Sequence, residues 1–132
     1  MKRSKRALSP DAGYQPTEAE LEILNLVWEL QPVSVRDIHA RIAETRPVGY
    51  TTVLKQVQRL VEKGVLERSV VDGAHYFSST LQQSAVQQQL VDRIVQTAFG
   101  GSALEMMMQA LGRDKVSEQE LRAIKNWLDQ QF

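Results

Sequence analysis

From Gly49 to Gly64 the chain reads GYTTVLKQVQRLVEKG, and its polar residues recur at helical spacing. Thr52, Lys55, Gln56, Arg59 and Lys63 form one stripe, with no carboxylate until Glu62 at its edge. On a helix laid in a DNA major groove, hydroxyls and amides read base edges and cations meet phosphates. Thr51 and Thr52 lie at the start of the helix, where such helices usually meet bases. Gln56 has the donor and acceptor to pair bidentately with adenine. Lys55 and Arg59 suit phosphates. Tyr50 either stacks on the sugar-phosphate backbone or seals the preceding turn. Arg68 and His75, further along, either reach phosphates or stay solvated. A surface helix with a solvated polar face has the same appearance, so the neighbouring elements must decide between the two.

Other chemistries find no support. The two histidines, His39 and His75, are far apart and lack ligand spacing. There is no cysteine, which excludes disulfides, thiolate metal sites and cysteine nucleophiles. No nucleophile–base set, phosphate-cradling glycine loop or paired carboxylates stand out. Met106, Met107 and Met108 read as packing residues. We therefore expect no enzyme, metal, cofactor or small-molecule substrate. No apolar run approaches the ~20 residues of a membrane span, and MKRSKR is not followed by the apolar stretch of a secretory signal. A cytoplasmic protein is expected.

The net charge of zero hides a pattern. Residues 1–10 carry +4, residues 11–44 carry −5, and residues 45–61 hold Arg46, Lys55 and Arg59 with no acid. The local sign around the polar stripe is positive, as a nucleic-acid footprint requires.

The elements that must position the stripe are legible. Thr17 with Glu20, Ser34 with Asp37, Ser102 with Glu105 and Ser117 with Glu120 fit the capping box, each before an apolar run. Residues 1–16 read as a flexible basic tail. A first helix runs to Leu30 and is stopped by Pro32, and a second runs from about Val35 to Glu44. The third, residues 50–63, presents Val53, Leu54, Val57, Leu60 and Val61 inward and ends at Gly64, a left-handed cap position. Asp72-Gly73 between two β-prone runs then signals a hairpin. Three helices and a hairpin are the order of a winged helix-turn-helix, whose third helix enters the major groove. The fold class is thus mainly α with a small β-hairpin wing: a DNA-binding domain over residues 17–79, then a helical dimerisation region over residues 80–132. In that region Val86, Leu90, Val91, Ile94, Val95 and Phe99 form one apolar stripe, and Leu121, Ile124 and Leu128 another. So few helices cannot bury all these faces within one chain, and an identical copy is the simplest cover.

These residues carry a family resemblance. The segments are TEAELEILNLVWEL from Thr17, VSVRDI from Val33, YTTVLKQVQRLVEKGVLER from Tyr50, HYFSS from His75, FGGS from Phe99 and SEQELRAI from Ser117. In this order the chain resembles the penicillinase-repressor family of winged-helix transcriptional repressors. The resemblance implies a homodimeric repressor on a palindromic double-stranded operator, with the C-terminal helices holding the dimer. It also implies relief through a membrane-bound sensor metallopeptidase that responds to β-lactam, with the repressor cut in its C-terminal region. The cut bond of that branch, Asn-Phe, aligns with Gln109-Ala110 here. The cysteine cluster of the copper-responsive branch has no counterpart. The alternative is a winged-helix protein-interaction module without sequence-specific DNA binding.

Overall fold

The computed structural model describes residues 13–112 and 114–132, so Lys2, Arg3, Lys5 and Arg6 of the expected tail lie outside the described residues. The elements are α1 (Glu18–Leu30), α2 (Val35–Ala43), α3 (Tyr50–Glu62), β1 (Leu66–Val71), β2 (Ala74–Ser79), α4 (Gln83–Ala98), α5 (Ala103–Leu111) and α6 (Glu118–Gln131). The architecture is the expected one, mainly helical with one antiparallel hairpin. Two compact units divide between Leu90 and Val91, inside α4.

All four expected N-caps form. The hydroxyls of Thr17, Ser34, Ser102 and Ser117 each accept from the backbone N–H three residues on, and at Thr17 and Ser117 the glutamate returns the bond. Each cap contributes about 1 kcal/mol by satisfying an otherwise orphaned donor.

In the first unit, apolar residues three and four apart turn one face of each helix inward. Ile23, Leu24 and Val27 of α1, Val35, Ile38 and Ile42 of α2, and Val53, Val57 and Leu60 of α3 meet in one core. Val65, Leu66 and Phe77 of the hairpin region, with Leu81 and Val86 beyond it, close that core. Gly64 adopts φ +79° and ends α3 as expected. The hairpin turns on Asp72 and Gly73, at φ +51° and +79°, which gives the two-residue turn with both central φ values positive. One pairing was not foreseen. Val33, in the α1–α2 connection, exchanges backbone hydrogen bonds with Phe77 at 3.0 and 2.8 Å and adds a one-residue third strand to the hairpin. The Trp28 indole N–H also donates to the Leu81 carbonyl at 3.0 Å, fixing the chain where it leaves the hairpin.

In the second unit, the end of α4 is followed by a break at Gly100 and Gly101, both at positive φ, and then by α5 and α6. Val95 is buried, but α5 and α6 hold no buried residue.

Candidate nucleic-acid interface

Burial fixes how α3 is rotated. With Val53, Val57 and Leu60 in the core, Thr51, Thr52, Lys55 and Arg59 are exposed and Gln56 is half-buried. Thr51, Lys55 and Arg59 are four residues apart, so they lie in one row about 12 Å long at ~1.5 Å rise per residue. The row runs from hydroxyl to ammonium to guanidinium. Tyr50, at its head, is 45% exposed, while its ring packs edge-on against His39 with centroids 5.7 Å apart. It therefore seals the turn and still presents a face outward. Gly49 caps α3 without a side-chain acceptor, unlike the Ser and Thr caps elsewhere.

Ion pairing separates the cations of this unit into two sets. Arg41 pairs with Glu29 at 3.2 Å, Arg46 with Glu22 at 2.6 Å and Lys63 with Glu20 at 2.6 Å. All three acids belong to α1. Lys63, part of the polar stripe in the sequence, is thus turned toward α1, and its ammonium also lies 6.0 Å from the Tyr14 ring centroid. Burial works against ionisation of Glu20. Hydrogen bonds from Lys63, the Thr17 backbone and Tyr14, together with the Lys63 charge, nevertheless bring its carboxyl below the ordinary range. Burial first, and the Glu20 carboxylate second, push the Tyr14 hydroxyl well above the usual phenol range. Lys55, Arg59 and Arg68 have no ion-pair partner among the described residues. Among the described residues of this unit, the cations without an ion pair are thus Lys55 and Arg59 on the α3 outer face, Arg68 on the hairpin and Arg36 on α2.

The hairpin register decides which residues share a face. Arg68 stands opposite Phe77 and Val70 opposite His75, so Arg68, Val70 and His75 lie on one side of the sheet. Arg68 and His75 are both exposed. Among the described residues no cluster of His, Asp and Glu could hold a metal ion, and no helix is long and apolar enough to cross a membrane.

The residues expected at a dimer contact fall into two groups. Val86 is buried in the core of the first unit, and Leu90 packs against that core. The apolar positions that α4 exposes are Val91 and Ile94, at 40% and 47%. Val95 is buried, Leu121 is exposed, and Phe99, Ile124 and Leu128 are half-buried. Beside Ile124 an open apolar groove of about 400 Å³ runs between α5 and α6, lined by Met107, Ala110, Leu111, Ala123, Ile124 and Trp127. Trp127 in this lining is 57% exposed. Gln109 and Ala110 are both exposed in the last turns of α5, and the Gln109 carbonyl accepts from Lys115 at 3.1 Å.

Comparison with known proteins gives one family. The family described as Penicillinase repressor matches residues 16–130. The penicillinase repressor of Staphylococcus aureus is 18% identical over 111 residues, covering 84% of this chain and 88% of its own. The methicillin resistance regulatory protein MecI of Mammaliicoccus sciuri is 20% identical over 116 residues, covering 88% and 94%. The transcriptional regulator BlaI of Mycobacterium tuberculosis is 27% identical over 103 residues, covering 74% and 75%.

Proposed function

The chain belongs to the penicillinase repressor family, and from that premise we propose a homodimeric repressor that reads a palindromic operator through the outer face of α3. The family is one of repressors rather than enzymes, and the chain is a DNA-binding transcriptional repressor of it. One observation carries the finer reading. Lys55 and Arg59, exposed with Thr51 and Thr52 on the outer face of α3, and Arg68 on the hairpin have no ion-pair partner among the described residues, nor does Arg36 of α2, while Arg41, Arg46 and Lys63 are paired with acids of α1.

In this mechanism Thr51, Thr52 and Gln56 meet base edges, and Lys55 and Arg59 meet phosphates. Arg68 and His75 bring the hairpin against the backbone. Tyr50 packs beside the sugar-phosphate chain. Two copies join through Val91 and Ile94 of α4 and Phe99 just beyond it, with Val95 already buried within its own chain, through Leu121, Ile124 and Leu128 of α6, and through the α5–α6 groove. They place two α3 helices in successive major grooves about 34 Å apart. Transcription is blocked because the site is occupied. Loss of the dimer lowers operator affinity by about 10²-fold or more, since the second half-site is no longer held at high effective concentration. Proteolysis in the second unit, with Gln109-Ala110 as the aligned bond, is one route to that loss, and a membrane-bound sensor metallopeptidase is the matching partner. Since that bond lies in α5, cleavage requires the helix end to unwind first. The site of action is the cytoplasm.

Selection of duplexes from a randomised library tests the reading. The expected outcome is an inverted repeat with half-sites one helical turn apart, retarded in a gel as a dimer complex. No enrichment and no retardation at low salt would instead favour a protein-interaction module.

A further inference from the structure

His39 lies on α2, outside the face offered to DNA, yet it touches both sides of the α3 cap. Its Nε2 is 2.8 Å from the Val48 carbonyl oxygen, and its ring meets the Tyr50 ring edge-on at 5.7 Å and 80°. A carbonyl oxygen only accepts, so Nε2 carries the proton and donates. Val48 is the residue before the cap and Tyr50 the first residue of the helix. Between them stands Gly49, which has no side chain to close the first turn. A glycine cap leaves the backbone freer than a Ser or Thr cap does. The His39 contacts bracket that freedom, fixing the Val48–Gly49 peptide on one side and the Tyr50 ring on the other.

We propose that His39 is a positioning residue for sequence readout: it sets the start of α3 and so aims Thr51 and Thr52 at the bases. This rests on the DNA-reading role given to α3 above. Lys55 and Arg59 do not depend on the latch. They stand one and two turns further on, where Val53, Val57 and Leu60 in the core hold the helix. Loss of His39 therefore separates two quantities that a general loss of folding lowers together. Operator affinity falls, while affinity for unrelated duplex, set by phosphate contacts, stays.

The experiment compares full-length wild type, His39→Phe and His39→Gln. Phe keeps a ring against Tyr50 but has no donor. Gln keeps an N–H at similar reach but has no ring. The probes are the duplex that wild type enriches from a randomised library and a scrambled duplex of equal length. We expect His39→Phe to lose about 10-fold in affinity for the enriched duplex, the size of one lost base contact. Its affinity and salt slope on the scrambled duplex should equal those of wild type. His39→Gln should recover most of the loss. Thermal unfolding of each variant marks any that fail to fold, and the Phe–Gln comparison at matched folded fraction keeps the test decisive. A Phe variant with the wild-type ratio of enriched to scrambled affinity overturns the proposal. So does an equal fall on both duplexes. If wild type enriches no duplex at all, the failure belongs to the DNA-reading role and not to His39.

Discussion

Arg59→Ala tests whether an unpaired cation on α3 marks a phosphate contact. The guanidinium is exposed in the row that starts at Thr51, and no described residue forms an ion pair with it. In a dimer the substitution removes one contact from each copy. The slope of log affinity against log salt is about −0.9 per neutralised phosphate, so it flattens by about 1.8. Between roughly 50 and 200 mM salt, wild type then loses about 10-fold more affinity than the variant. Arg46→Ala is the matched control, because it removes the same charge from the same unit but from a guanidinium 2.6 Å from Glu22. Its slope should equal that of wild type. Fluorescence anisotropy on one labelled duplex across this salt range reads both. A wild-type slope for Arg59→Ala removes Arg59 from the phosphate role. Equal flattening in both variants refutes the premise that ion pairing decides which cations face DNA.

Leu60→Ala, in the core beneath α3, should cost about 2–5 kcal/mol in urea unfolding, whereas Arg59→Ala should stay within about 0.5 kcal/mol. Glu20→Gln keeps an oxygen for the Thr17 N–H, as a capping-box glutamine does, but removes the charge and the acceptor paired with Lys63, so about 1 kcal/mol is expected near neutral pH. The Glu20 carboxyl is held below its ordinary range, so its contribution is present above the unfolded pKa and disappears as pH falls through the folded one. The stability difference between wild type and Glu20→Gln should accordingly close in acid, and a difference constant from pH 7 to pH 3 contradicts the ion-pair account. Ile94→Asp with Trp127→Asp, both on exposed apolar positions, should give monomers by light scattering with the first unit folded by hydrogen exchange. A double variant that remains dimeric moves the interface elsewhere.

Local chemistry made most of the fold legible. A Ser or Thr followed three residues later by an acid needs only adjacent backbone to work, and all four such caps formed at Thr17, Ser34, Ser102 and Ser117. Asp72-Gly73 likewise needs only two positive φ values. The rotation of α3 followed from its apolar spacing, so Thr51, Thr52, Lys55 and Arg59 were placed outward correctly. What the sequence did not reveal depends on distant partners. The bridge between Val33 and Phe77 joins residues 44 apart, and no periodicity records it. The Lys63–Glu20 pair spans 43 residues, so Lys63 looked like part of the groove-facing stripe. Val86 and Leu90 continue the apolar stripe of α4 without a break, yet they pack into the first unit's core while Val91 and Ile94 are exposed. A stripe shows that a face is covered; it does not show by what.

The zero net charge and the unpaired cations on the outer face of α3 have one origin. A sum over the sequence treats the acids of residues 11–44 as opposing every base equally. In the folded unit Glu20, Glu22 and Glu29 act on particular bases, each within 3.2 Å or less of Lys63, Arg46 or Arg41. Exposed pairs of this kind contribute only about 0–1 kcal/mol apiece to stability, so their larger consequence is for the field. Each pair offsets a cation whose field would otherwise draw a polyanion to another face of the unit. Lys55, Arg59, Arg68 and, on α2, Arg36 have no acid paired with them among the described residues. The acidic first helix therefore does not oppose every base equally: it offsets Arg41, Arg46 and Lys63 and leaves Lys55 and Arg59 unpaired on the face that carries Thr51 and Thr52, the arrangement that the proposed reading of DNA requires.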